Sequence, residues 1–167
     1  MTNVLGLDLS ITGTGICEPV AGATTTIHPW SKGDDRLVEI RNLIVAHLRP
    51  HVDLAVIEGP VLRSQSALPL AMLHGAVRVA LISNKTPYLL VAPATLKVYA
   101  TGRGNAQKPD MRMELFKRTG LDLADDNQVD AKWLWALGHD LAGTPVIDLP
   151  KTHRRALDKL ALPKGYS

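Results

Sequence analysis

Residues 4–17 read VLGLDLSITGTGIC, and this stretch decides the fold. Its first six residues are an apolar run broken by one carboxylate, Asp8, between Leu7 and Leu9. A short apolar run bounded by turn residues predicts a buried strand. Thr12-Gly13-Thr14-Gly15 supplies the turn chemistry, and GICEPV, from Gly15, returns as a second strand. The threonine-rich stretch from Ala23 to Pro29 makes a third, so the chain opens as an antiparallel meander. Asp8 breaks the pattern. A charge in a buried strand is costly unless it is paired or holds a metal. The competing reading of Asp8 is an aspartate that caps the following turn.

Outward from this meander, helices and strands alternate. Leu37, Ile40, Ile44 and Leu48 form one apolar face and predict a helix over 34–48, with Asp34 and Asp35 at its positive N-terminal end. DLAVIE (53–58) reads as a central strand, 65–83 as a second helix and PYLLVA (87–92) as a fifth strand. A short helix carries Lys97, TGRGNAQKPD (101–110) is a loop, and helices follow near 110–118 and 126–142. Strands separated by helices run parallel, whereas the first three need not. The expected class is therefore α/β, an RNase H-like fold with a mixed five-stranded sheet flanked by helices. This domain is expected to span 1–143. A basic C-terminal tail, 144–167, holds KTHRRALDKL as a helix or a mobile arm.

Composition narrows the function. A chain of 167 residues can bury a full core without staples. One cysteine, Cys17, excludes a disulfide scaffold and a four-cysteine zinc site. Aromatics at 4% argue against a binder made mainly of stacking platforms. No signal peptide and no apolar stretch of membrane-spanning length is visible, so the expected location is cytoplasmic and off the membrane. The net charge of +3 is compatible with nucleic acid but weak. Its distribution is more informative, with acids gathered in 122–130 and basic residues in 97–118 and 151–164.

Glu58 repeats the pattern of Asp8. It ends the run LAVIE, and Gly59-Pro60 stops the strand. If the two strands are neighbours, these acids end about 5 Å apart and repel unless a cation lies between them. In DDNQVDAKWLWALG (125–138), Asp126 and Asp130 share a helical face, and Asn127 lies three before Asp130. Like charges so spaced weaken a helix, which points to a cation, although Asp125 and Asp126 also suit an N-terminal cap. An all-oxygen set favours Mg2+, with Mn2+ as a substitute, and two-metal hydrolysis of a phosphodiester. The candidate ligands are Asp8, Glu58, Asp126 and Asp130, with Asn127 as the alternative to Asp126. Lys97, Arg103, Lys108 and Arg112, with Asn105 among them and Arg63 after the second acidic strand, form the candidate DNA contacts. Lys108 is also a catalytic candidate through charge stabilisation. The six histidines show no ligand spacing and read as surface or interface residues. Of Trp133 and Trp135, one is expected in the core and the other partly exposed.

Taken in order, VLGLDLSITGTGIC, LAVIEGP, VAPATLKVYATGRGNAQKPDM and DDNQVDAKWLWALG resemble the RuvC family of Holliday-junction resolvases, especially its phage-encoded relatives. Lys97 and Lys108 match the family's two lysines eleven residues apart. Val61 and Leu62 stand where many members carry an aromatic, and Asn127 where they carry an acid. The resemblance implies a homodimeric endonuclease that resolves four-way junctions by paired nicks, with flaps and replication forks as further branched substrates. The second helix, with Leu70, Leu73, Val77 and Leu81 on one stripe, is the candidate dimer interface, or else packs on the sheet. Two other readings remain: an ATP-binding domain of the actin and sugar-kinase type, whose phosphate hairpin GLDLSITGTG resembles, and a non-catalytic branched-DNA-binding relative.

Overall fold

The computed structural model describes residues 2–49, 51–61 and 67–166. Arg63, one of the expected DNA contacts, lies outside them. Five strands form one sheet: β1 (Val4–Asp8), β2 (Thr14–Cys17), β3 (Thr24–Ile27), β4 (Leu54–Glu58) and β5 (Tyr88–Val91), in the order β3-β2-β1-β4-β5. The first three pair antiparallel, and β4 and β5 pair parallel with β1 and β4 respectively. This is the mixed sheet that the sequence predicts. The helices are α1 (Asp35–Ala46), α2 (Ala67–Ser83), α3 (Pro93–Thr101), α4 (Lys108–Thr119), α5 (Asp126–Leu141) and the short α6 (Lys151–Arg154).

The two-residue period of the strands sorts side chains between the faces. Leu5 and Leu7 of β1 and Ala55 and Ile57 of β4 pack with Ile40 and Ile44 of α1 and Leu73, Val77 and Leu81 of α2. Val4 of β1 and Leu54 and Val56 of β4 face the other way, onto a core with Trp133, Leu134 and Leu137 of α5 and Leu96 and Tyr99 of α3. Asp8 continues the series Val4, Gly6, and Glu58 continues Leu54, Val56. Both acids are therefore sent to the face that α5 covers.

Close approach brings α5 onto that face. A Cβ at Gly6 would collide with the Ala131 carbonyl, and one at Gly15 with the backbone of Asn127. A Cβ at Gly138 would lie 2.6 Å from Val4 Cγ1 and 2.7 Å from Val56 Cγ2. Glycine at these three points lets α5 run directly across β1 and β2, over the edge where Asp8 ends.

Some expectations change. Of the stripe Leu70, Leu73, Val77 and Leu81, the last three are fully buried in the core between the sheet and α1–α2 and Leu70 is half-buried, so the stripe packs on the sheet rather than forming the expected interface. Leu68, Met72, Val79 and Ile82 are the apolar residues that α2 turns outward. Three of the six histidines, His74, His139 and His153, are buried. Burial lowers the His74 imidazole to about 4, with the nearby Arg78 cation second, so it packs as a neutral ring. Trp133 is fully buried and Trp135 partly so, as the helical pattern suggests. Within 144–167, Ile147, Leu149 and Ala156 join the α3–α5 core, and His153 Nδ1 lies 3.1 Å from the Tyr99 carbonyl. Arg154 pairs with Asp140, whose side chain is fully buried. No helix among the described residues is long and apolar enough to cross a membrane.

Candidate active site at one edge of the sheet

Strand register places Leu7 beside Ile57 in a parallel pair, so Asp8 and Glu58 leave adjacent strands side by side at the same edge. The turn after Asp8 is fixed locally. Thr14, fully buried, donates its hydroxyl to the Ser10 carbonyl at 2.7 Å and accepts the Ser10 amide at 3.1 Å. That closes the β1–β2 hairpin.

The start of α5 is as firmly set. Asp125 is the N-cap: its carboxylate accepts the Asn127 amide at 2.9 Å and the Asn127 side-chain Nδ2 at 3.0 Å. Thr26 of β3 donates to its other oxygen at 2.5 Å. Burial pushes the Asp125 carboxyl up, but these donated hydrogen bonds prevail and hold it below its ordinary value. Asn127 packs over the glycines of the hairpin, with its Nδ2 beside Gly13. Asp126 points elsewhere, to Lys108 Nζ at 3.3 Å. Asp130 lies one turn further on.

Electrostatics ties these acids together. Burial first, then the charges of Glu58 and Asp130, push the Asp8 carboxyl well above the ordinary aspartate range. Burial and Asp130 push Glu58 up to about 7, against the pull of Lys97, Lys108 and a side-chain hydrogen bond with Asp8. Burial raises Asp130 to about 6; Asp126 adds to this, while Lys108 and Lys97 oppose it. Three carboxyls in each other's field, each resisting ionisation, make a site that gains from a cation. Among the described residues no three acid, histidine or cysteine groups close into a finished ligand cage. The carboxylates present are oxygen donors, the chemistry that a hard cation such as magnesium takes.

The basic residues are distributed unequally. Lys108 is the first residue of α4, followed by Pro109 and preceded by a capping box between Gln107 and Asp110. It thus opens a helix, where the composition of 101–110 predicts a loop. Burial lowers the Lys108 ammonium, but the Asp126 hydrogen bond and the charges of Asp126, Asp130 and Asp8 outweigh this and hold it above its ordinary value. The Lys97 charge, carried on α3, also favours ionisation of Glu58 and Asp130. Arg103 pairs with Asp110 at 3.4 Å, and Arg112 makes two hydrogen bonds to Asp122, at 3.0 and 2.6 Å. Asn105 is exposed on the loop between α3 and α4. Thus Lys97 and Lys108 act on the carboxylates, while Arg103 and Arg112 are engaged by acids of their own neighbourhood.

Comparison with known proteins agrees with this architecture. Thermus thermophilus RuvC has the same arrangement over 87% of this chain and 99% of its own, with a TM-score of 0.66 at 21% sequence identity. The chain has the RuvC-type, RNase H-like fold. T. thermophilus RuvC in complex with Holliday junction substrate matches 89% of this chain and 100% of its own, with a TM-score of 0.69 at 19% identity. No family model matches the sequence. At this level of identity the likeness concerns the RuvC-like fold, and the chemistry has to be argued from the site. Sequence reasoning left open which acid caps α5. The Asp125-Asp126-Asn127 run carries the signal, because an acid just before the first helical residue is a preferred N-cap.

Proposed function

We propose that this chain is a metal-dependent endonuclease that hydrolyses phosphodiester bonds in branched DNA. On this reading it resolves four-way junctions by paired nicks as a homodimer. The observation that carries the reading is the convergence of Asp8, Glu58 and Asp130, partly buried and in each other's field, with Lys97 and Lys108 acting on them. The fold shared with RuvC, solved with a Holliday junction in the Thermus protein, supports the choice of substrate.

In this assignment Asp8, Glu58 and Asp130 hold Mg2+ or Mn2+, with Asp126 as a direct or water-mediated fourth ligand. Asn127 is the weaker candidate, because it would bring only a neutral carbonyl oxygen where Asp126 brings a charge, and its Nδ2 is turned to Asp125 and the hairpin. When bound, the metal supplies charge neutralisation and an activated water for attack on phosphorus. Lys108, tethered to Asp126, stabilises negative charge on the reacting phosphate. Lys97 holds a neighbouring phosphate. Arg103, Asn105 and Arg112 line the approach, with the two arginines released from Asp110 and Asp122 when DNA phosphates compete. Arg63 is kept as a DNA contact on sequence grounds. For the homodimer, the outward stripe Leu68, Met72, Val79 and Ile82 replaces the buried one as the proposed interface.

The test is cleavage of synthetic four-way junctions, flaps, forks and single strands with Mg2+, Mn2+ or chelator. The proposal expects metal-dependent cutting, greatest on branched substrates. Tight binding without cutting would make the protein a non-catalytic relative. Light scattering at micromolar concentration checks the dimer, which a monomeric mass with and without junction DNA rules out.

A further inference from the structure

Trp30 is 93% exposed, the most exposed large apolar side chain among the described residues. The other two tryptophans are buried or partly buried in α5. A tryptophan carries roughly 150–250 Å² of contact surface, so leaving it in water forgoes a large stabilisation. Its backbone, by contrast, is held. Glu39 of α1 accepts the Trp30 amide at 3.0 Å and the Ser31 amide at 2.8 Å, and Arg36 donates to the Ser31 carbonyl at 3.0 Å. The ring is presented on a fixed support.

Its position relates it to the carboxylates. Ile27, the last residue of β3, pairs with Thr14, the first of β2, so β3 ends at the edge where Asp8 ends. Two strand spacings, about 10 Å, separate β3 from β1 across the sheet. His28 Nδ1, two residues before Trp30, lies 3.1 Å from the Thr12 carbonyl and so ties this loop to the turn that follows Asp8. The local charge discriminates between ligands. Asp34, Asp35 and Glu39 outnumber Lys32 and Arg36, so the loop offers no net attraction to phosphate. What it offers is a flat aromatic face.

We infer that Trp30 is a stacking contact for an unpaired nucleobase of the strand entering the carboxylate edge. Stacking accepts any base and requires it to be out of a duplex, so this residue favours substrates with single-stranded or opened character. The inference rests on the nucleic-acid reading of the site, but not on cutting.

Binding is measured in chelator with the full chain, on a fork with a single-stranded arm and on a blunt duplex of equal length. Intrinsic fluorescence should be quenched by the fork, and W30F should abolish that quenching while keeping most of the affinity. W30A should weaken fork binding about ten- to a hundredfold, as loss of one stacked base does. The same variant should change duplex binding far less, and V38A, an exposed apolar substitution on the adjacent helix, should change neither. In the presence of metal, the W30A defect should appear as a raised KM for the fork. Wild-type fork affinity in W30A overturns the inference. So does a fall in molecular mass with fork affinity intact, which would make Trp30 a contact between copies. Fork binding with Trp30-dependent quenching but no cutting keeps this inference and refutes the nuclease. Cutting with an unchanged KM in W30A does the reverse.

Discussion

Replacing Glu58 by glutamine should stabilise the metal-free protein at high pH while abolishing the proposed cleavage. Burial and the Asp130 charge raise the Glu58 carboxyl from 4.5 to about 7 in the folded chain. A group with a raised folded pKa contributes stability that is fully present below its unfolded value and lost as pH rises through the folded value. For Glu58 that loss runs from about pH 4.5 to pH 7, as the buried carboxyl is forced to ionise beside Asp8 and Asp130. By about pH 8 it would amount to about 3 kcal/mol if the site were dry. Solvent at the open sheet edge screens part of it, so about 1–2 kcal/mol is the expected gain for E58Q. In a protein of this size that is about 2–8 °C in Tm.

The assay is a set of thermal melts in chelator from about pH 5 to pH 8, for wild type and E58Q. The variant should melt higher at about pH 8, and the gap should close toward about pH 5, where both side chains are neutral. On the proposed metal-dependent reading, millimolar Mg2+ should reverse the order, because an ion held by the intact carboxylate set would stabilise the wild type by mass action. An E58Q that melts at or below wild type at about pH 8 in chelator would refute the reasoning, since it would mean that the three acids do not strain the fold. A gap that does not shrink on acidification would place the stabilisation elsewhere.

The carboxylate variants Asp8→Asn and Asp130→Asn should lose cleavage by several orders of magnitude yet bind branched DNA as well as wild type or better in gel-shift titrations, because each removes a charge that repels phosphate. Lys97→Ala should weaken binding and reduce the slope of log affinity against log salt by about one charge, whereas Lys108→Ala should lower turnover more than affinity. Asp126→Asn should raise the Mn2+ requirement far more than Asn127→Ala; the opposite order in metal titrations of cleavage would hand the fourth position to Asn127. Arg154→Ala should cost about 3 kcal/mol in denaturant melts, because it strands the fully buried Asp140 carboxylate, with only the Tyr99 hydroxyl left to it.

The sheet was legible because its strands are short apolar runs bounded by turn residues, and because helices separate the later ones. Even the face of the acids is implicit in the alternation: Val4, Gly6 and Asp8 on one strand, Leu54, Val56 and Glu58 on the next. Other features were not legible, each for a physical reason. Leu73, Val77 and Leu81 make an apolar stripe that suits either a sheet or a partner, and periodicity cannot say which surface covers it. Leu68, Met72, Val79 and Ile82 lie on the opposite side of the same helix, so α2 carries two apolar faces and only tertiary packing separates them. His74, His139 and His153 were read as surface residues because a neutral imidazole is small enough to pack, and sequence does not report protonation.

The position of Asp130 has a deeper cause. Nothing in DDNQVDAKWLWALG says how near this helix comes to the strands, yet the site exists only if it comes very near. The information is carried at a distance, by Gly6 and Gly15 in the opening hairpin and Gly138 in the helix, each at a point where a methyl group would strike α5 or the sheet. These glycines are fold determinants and site determinants at once. A single methyl at Gly15 would lift the first turns of α5 by pressing on Asn127, the residue clamped to the Asp125 cap. Asp126 and Asp130 would then move away from Asp8, while the far end of the helix, seated on Val4 and Val56, stayed in place. The arrangement of carboxylates at the sheet edge thus depends on residues that have no side chains to take part in it.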